Sequence, residues 1–251
     1  MENQILITLG LVLLGGILPP LIWLWFWLKE DKKRPEPKPL IIATFIGGMI
    51  AVPIALYFEK LTAEKWPVDG IMEMGFVALF FALAALVSIE EIAKYLAAQG
   101  IAFPNKHFDE PVDAIIYMIT AALGFAALEN SMFLINNLSA GQFLEFSGII
   151  LNSADLSDII IGNNLRFIGA NVVHVVASGV IGVFIGLSFY KNKLKKAGYF
   201  IVGILSAILL HTLFNFLIIS FSEAPLIVFT FMWVAAVVLI LLFEKVKRVK
   251  V

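Results

Sequence analysis

The chain has 251 residues, of which 61% are hydrophobic and only 15% charged, with a formal net charge of -1. Soluble domains carry about 25% charged residues, so this chain has too few polar side chains to cover a soluble globule. The near-zero net charge argues against nucleic acid as a partner, and the lack of cysteine excludes disulfides, cysteine nucleophiles and thiolate metal ligands. The length suits one integral membrane domain, residues 1–251.

Seven apolar runs are long enough to cross a membrane as helices, for which about 20 residues are needed. Because these runs are apolar on every face, they indicate membrane spans rather than the amphipathic helices of a soluble bundle. We therefore predict an all-α fold, a polytopic transmembrane helix bundle. The predicted spans are Ile5–Leu28, Pro39–Phe58, Ile71–Gln99, Pro111–Asn136, Leu165–Tyr190, Ala197–Ile219 and Ala224–Phe243.

Lysine and arginine are shared unevenly among the links between these spans. The links after spans one and five are basic, as is the C-terminal tail, whereas the long link Asn137–Asn164 contains neither residue. Basic links stay on the cytoplasmic side of a membrane. We therefore predict an N-terminus outside the cell and a C-terminus in the cytoplasm, with Asn137–Asn164 as an amphipathic loop at the outer surface.

Ionisable side chains lie inside four successive spans, where a charge costs ~2.5–3.5 kcal/mol on insertion scales and is functional by default. Spans one, two and seven contribute almost none, so these side chains predict one polar site. Arg166, near the end of span five, suits an interfacial anchor as well as it suits the site. The ionisable residues are Glu90, Glu91, Lys94, Glu129, His174 and His211, and Asn130, Asn171 and Asn215 add neutral polar groups.

Residue spacing supports a shared site. Glu90 and Lys94 are four residues apart, as are His211 and Asn215, so each pair lies on one helix face. The predicted depths of the site residues in the membrane agree less well with a shared site. At 1.5 Å per residue, Glu90 lies about 28 Å from the outer end of its span, or about 22 Å if the helix starts near Gly75, while the other site residues fall in the outer half of the membrane.

Two classes of protein use buried glutamate and histidine in this way. A proton- or ion-coupled membrane transporter uses them as relays. A peptide hydrolase uses a carboxylate to activate water, and imidazole or amide groups to stabilise the oxyanion. The sequence contains neither a His-Glu-x-x-His nor a Gly-x-Ser-x-Gly signature, so the residue types leave both classes open.

A zinc ion is compatible with the same residues. Glu129, His174 and His211 come from three helices at similar predicted depth, and a catalytic zinc takes three such ligands and leaves one position for water. Glu90 would then be the general base. In a metal-free alternative, Glu90 and Glu129 hold and deprotonate the water while His211 and Asn215 bind the oxyanion. The cost of burying two histidines and two glutamates favours the metal site.

Four sequence motifs follow one another on four successive helices. They are Glu90-Glu91-Ile-Ala-Lys94, Phe125-Ala-Ala-Leu-Glu129-Asn130, Arg166 leading to His174, and His211-Thr-Leu-Phe-Asn215, and the segment Asp109-Glu-Pro-Val-Asp113 with Tyr117 accompanies them. In this order the motifs resemble those of the PrsW family of bacterial intramembrane proteases, relatives of the CAAX prenyl endopeptidases. The resemblance covers a motif-bearing core of residues 88–216.

The resemblance implies an activity and a set of site residues. Lys94 takes the basic position of the first motif, and Glu129 stands where the CAAX endopeptidases have histidine. The implied activity is that of an intramembrane endopeptidase in the inner (plasma) membrane, and the buried histidines and glutamates favour a glutamate-dependent metalloprotease. It would cut a single-span membrane protein, such as an anti-sigma factor, in a regulated cascade. The implied catalytic residues are Glu90, Glu91, Glu129, His174, His211 and Asn215.

Overall fold

The computed structural model describes residues 10, 12–30, 34–65, 75–137, 153–220 and 225–250. Within these ranges, the side chains of residues 12–13, 136–137, 153–168 and 225 are not described. The predicted N-terminal part of span one and most of the predicted loop at 137–164 lie outside the described residues.

The described chain folds into seven α-helices, which confirms the predicted all-α bundle. Helices are required because lipid offers no hydrogen-bond partners to the backbone. Helices α2 to α7 each contain an apolar stretch long enough to cross a membrane. A short π-helical segment, Val12–Ile17, leads into the first of the seven, which are α1 (Leu18–Glu30), α2 (Lys38–Lys65), α3 (Phe76–Ile101), α4 (Asp113–Asn137), α5 (Ser153–Leu187), α6 (Lys193–Ser220) and α7 (Pro225–Val246).

Two helix starts differ from the simplest sequence prediction. Helix α5 begins at Ser153 rather than at Leu165, so the last part of the predicted loop is helical. This segment mixes polar and apolar residues, so its hydropathy is too low for it to be recognised as part of an apolar span. Helix α3 begins at Phe76, the later of the two starts considered, which places Glu90 closer to the N-terminal end of its helix.

Helix α4 is the centre of the bundle. Its residues from Ala114 to Ala127 are almost all buried, and it packs against α1, α2 and α5. Small residues permit this packing, because a Cβ added at Gly48 of α2 or at Gly124 of α4 would overlap a backbone carbonyl oxygen of the other helix. Gly182 of α5 also lies close to the α4 backbone, as expected for a face of small residues in a membrane bundle.

We expect Gly124→Ala to lower the stability of the bundle, because the new methyl group would meet the carbonyl oxygen of Phe45. Overpacking of this kind costs about 1–3 kcal/mol. Gly100→Ala is the matched control, since a Cβ at Gly100 meets no atom within 4 Å and alanine is the better helix former. Thermal unfolding in detergent measures both variants, and equal Tm values would contradict the close approach of α2 and α4.

Candidate active site

A buried cluster of charged side chains joins α3 to α5. Lys94 of α3 lies at its centre and is fully buried. Three acceptors lie within hydrogen-bond distance of its Nζ atom: Glu90 Oε2 at 3.1 Å, Glu91 Oε1 at 2.8 Å and His174 Nδ1 at 2.8 Å. An ammonium group has three N–H donors, so each has an acceptor. The predicted pairing of Glu90 with Lys94 is confirmed.

Glu91 is the most firmly held carboxylate of the site. Its Oε1 atom accepts hydrogen bonds from Lys94 and from His211 Nδ1, the latter at 2.8 Å, and its Oε2 atom accepts one from the Ser178 hydroxyl at 2.7 Å. Three donors on two oxygens match an ionised carboxylate. Sequence analysis missed the contact of Ser178 with Glu91, although Ser178 lies one turn after His174 on the same helix face.

His174 connects the lysine to a second glutamate. Because Lys94 donates to Nδ1 of the ring, the proton of a neutral His174 lies on Nε2, and this atom donates to Glu129 Oε2 at 2.8 Å. The ring of Phe125 packs beside the imidazole, with 5.7 Å between the ring centroids. Glu129 therefore fixes the orientation of His174, and His174 in turn holds Lys94 in place.

His211 has its own fixed tautomer. Glu91 accepts a hydrogen bond from Nδ1–H, so Nε2 of a neutral ring carries a lone pair, and this atom lies 3.9 Å from Glu90 Oε2. The imidazole of His174 stands nearly perpendicular to it, with ring centroids 5.1 Å apart. Asn215, one turn further along α6, is partly buried, and its side chain makes no hydrogen bond within the described part of the chain.

Glu90 and Glu129 are the carboxylates of the site that remain partly accessible. Their side chains are 12% and 42% exposed, whereas that of Glu91 is fully buried. Glu59 of α2 is a further carboxylate close enough to interact electrostatically with both. Sequence analysis missed Glu59 because the predicted second span ends at Phe58. The available signal was a glutamate directly after an apolar run.

Two of the three neutral polar residues predicted near the site, Asn130 and Asn171, are buried. Among the described residues, Asn130 Nδ2 and Thr212 Oγ1 have no hydrogen-bond partner, and they directly follow Glu129 and His211 in the sequence. Asn171 is fully buried on α5. The backbone of Arg166 lies in α5, but its side chain is outside the described residues.

The segment that precedes α4 forms a turn held by a side chain. Asp113 Oδ2 accepts hydrogen bonds from the backbone N–H groups of Asp109 and Glu110, at 2.8 and 2.7 Å. One turn later, the hydroxyl of Tyr117 donates to Glu36 in the link before α2. This motif therefore shapes the end of the bundle and does not reach the charged cluster.

A metal ion could be held by four residues whose ligand atoms lie within 4.8 Å of one another: Glu90, Glu91, His174 and His211. Carboxylate and imidazole are ligands that zinc accepts. The group shares its histidines with the predicted ligand set, while the predicted third ligand, Glu129, contacts the other ring nitrogen of His174. In this arrangement Lys94 bonds to three of the four residues, so an ion at this position would have to displace its ammonium group.

The fold and the charged cluster together define a multi-pass membrane protein with an acid–base site enclosed by its own helices. The model of the PrsW family intramembrane metalloprotease matches residues 36–243. The chain therefore belongs to the PrsW family, and it is a membrane protease.

Curated relatives named Protease PrsW match most of the chain. The protein from Oceanobacillus iheyensis is 28% identical over 228 residues, which cover 90% of this chain and 92% of the relative. That from Clostridioides difficile is 31% identical over 205 residues, or 81% and 77% of the two chains. That from Bacillus subtilis is 22% identical over 212 residues, or 84% of each. No solved structure matches the chain. These bacterial relatives agree with a multi-pass protein of the plasma membrane.

Proposed function

We propose that the protein is an intramembrane endopeptidase in which Glu90 activates the attacking water. The observation that carries the proposal is the facing pair of Glu90 Oε2 and His211 Nε2, 3.9 Å apart. Both atoms are hydrogen-bond acceptors in this arrangement, so a water held between them donates one hydrogen bond to each. Such a water is positioned for general-base activation.

Hydrolysis then follows from the neighbouring groups. Glu90 takes a proton from the water, and the water oxygen attacks the carbonyl carbon of the peptide bond. The side-chain amide of Asn215 can donate to the oxyanion that forms. As the C–N bond breaks, the proton passes from Glu90 to the departing nitrogen, which leaves a carboxylate on one fragment and an amine on the other.

The remaining residues hold these groups in place. Glu91 fixes the orientation of the His211 ring through its contact with Nδ1. The positive charge of Lys94 lies beside Glu90, where it stabilises the negative charge that develops during attack. Glu129 and His174 position Lys94 through the chain of contacts already described. Preorganisation of this kind avoids rearrangement during the reaction.

A zinc-dependent version of the same activity is the second candidate, and the close grouping of donor atoms favours it. His174 and His211 would hold the ion together with one or both carboxylates of Glu90 and Glu91, or with Glu129 as the sequence predicts. A bound zinc would supply Lewis-acid activation of water and of the peptide carbonyl. With Glu129, His174 and His211 as the ligands, Glu90 would remain available as the general base.

The substrate class follows from the location of the site. A cluster enclosed by membrane helices suits a substrate that is itself in the membrane, such as the transmembrane segment of a single-span protein. Resemblance to the PrsW family suggests a membrane-anchored anti-sigma factor as one such substrate. Lipid is the surrounding medium, because six of the helices are long and apolar enough to cross a membrane.

The test separates the protease from an ion-coupled transporter. Purified protein is reconstituted into liposomes with a single-span membrane substrate, and the products are followed with and without a protonophore. We expect two fragments at the same rate in both conditions, no fragments from His211→Ala, and normal cleavage by His107→Ala, because His107 is exposed in the turn after α3. Uptake of an intact solute into the liposomes that is lost when the protonophore is added would favour the transporter.

A further inference from the structure

A cavity lies apart from the charged cluster, beside the basic link between α5 and α6. Its volume is about 510 Å³, and its walls come from α3, α5, α6 and the turn that follows α3. Ser188 and Lys196 contribute polar groups to the lining. The aromatic residues that line it are Tyr95, Phe103, Phe108, Phe189 and Phe200.

The aromatic walls are braced by contacts with one another. Phe103 and Phe108 stack with 4.5 Å between their centroids, and Tyr95 and Phe200 lie 4.4 Å apart. Ligand cavities in proteins usually enclose about 300–1,000 Å³. The space is therefore preformed, apolar and large enough for several carbons of an acyl chain.

The entrance carries an excess of positive charge. Lys191, Lys193, Lys195 and Lys196 are all exposed, and none forms an ion pair within the described ranges. The Nζ atom of Lys196 lies 5.7 Å from the centroid of the Phe189 ring, so charge and aromatic wall adjoin. Leu194 between these lysines is 84% exposed, which suits a position at the edge of a membrane.

We propose that this cavity binds one anionic phospholipid, with its phosphate at Lys196 and part of an acyl chain against the aromatic walls. Basic pockets between membrane helices recognise anionic headgroups through the same combination of charge and depth. A soluble phosphate compound could bind the lysines but has no acyl chain to pack against the aromatic walls. The cavity is at the ends of membrane helices, where the headgroup and acyl chain of a lipid join.

The proposal concerns binding and does not rest on the proteolytic activity. The cavity wall and the charged cluster share α3 and α6, since Tyr95 directly follows Lys94 and Phe200 precedes His211 on the same helix. A cleavage assay would therefore mix the two sites, and lipid retention is the appropriate measurement.

The experiment counts lipids retained by the purified full-length protein in native mass spectrometry. Phosphatidylglycerol and phosphatidylcholine with the same acyl chains are added separately. We expect one phosphatidylglycerol to be retained in preference to phosphatidylcholine. Lys196→Gln should lower that retention about fivefold, the effect of one cationic side chain near an anionic headgroup. Ala197→Trp, which fills the cavity from an exposed wall position, should abolish it.

Lys193→Gln is the matched control, because it removes the same charge from the same link but does not line the cavity. Equal losses in Lys193→Gln and Lys196→Gln, or equal retention of both lipids, would overturn the proposal. Displacement of phosphatidylglycerol by glycerol phosphate would also overturn it, since a soluble anion would then suffice. If Ala197→Trp does not fold, the comparison of Lys196→Gln with Lys193→Gln decides the question.

Discussion

Glu90→Gln is expected to reduce peptide-bond cleavage by about 10²- to 10⁴-fold, the usual contribution of a general base. The amide has nearly the same shape as the carboxylate, and its oxygen can still accept the hydrogen bond from Lys94 that Glu90 accepts now. It cannot take a proton from water. The rate of cleavage of a single-span substrate in detergent measures the loss, and an unchanged Tm shows that the fold is intact.

Glu129→Gln is the matched comparison for this prediction. The amide oxygen of glutamine can still accept a hydrogen bond from His174 Nε2–H, so the contact that Glu129 makes at 2.8 Å is kept. We therefore expect a smaller loss of activity than for Glu90→Gln. Full activity in Glu90→Gln together with none in Glu129→Gln would assign the base to the other carboxylate.

Lys94→Met is expected to lower the free energy of unfolding by about 3–5 kcal/mol and to abolish cleavage. Methionine is unbranched and nearly as long as lysine, but it leaves two carboxylates without their buried cation, and breaking a buried ion pair has a cost of this size. Lys193→Met is the control, because Lys193 is exposed. Denaturant unfolding measures both variants, and equal stabilities would contradict a central role for Lys94.

The same variant tests whether a metal ion and the ammonium group compete for one position. With the ammonium group removed, Glu90, Glu91, His174 and His211 keep their ligand atoms within reach of a common ion. We expect added zinc to raise the Tm of Lys94→Met more than that of the unmodified protein. An equal response of the two proteins would show that Lys94 does not occupy the position of the ion.

Much of the fold could be predicted from the sequence because a membrane requires uniformly apolar helices, and such runs are easily recognised. The start of α5 could not be predicted in this way, since residues 153–164 mix aspartate, serine and asparagine with isoleucine. The predicted depth of Glu90 depended on where α3 begins, which its flanking sequence left open. The start at Phe76 shortens the distance of Glu90 from the start of its helix to about 21 Å, which removes about half of the predicted difference in depth.

The residues of the candidate site could be predicted from the sequence, but most of the contacts between them could not. Spacing along one helix predicts the pair of Glu90 with Lys94, because residues four apart share a face. It does not predict which faces of different helices meet. The contacts of Glu91 with Ser178 and with His211 join residues 87 and 120 positions apart, and they follow only from the packing of α3 against α5 and α6.

The most direct measurement of the proposed chemistry is the mass of the products formed by the purified protein from a single-span membrane substrate. The unmodified protein and Glu90→Gln are compared at the same concentration. We expect the unmodified protein to yield two fragments whose summed mass exceeds that of the substrate by one water molecule, and Glu90→Gln to leave the substrate intact. Cleavage by Glu90→Gln at the rate of the unmodified protein would contradict the assignment of Glu90 as the base.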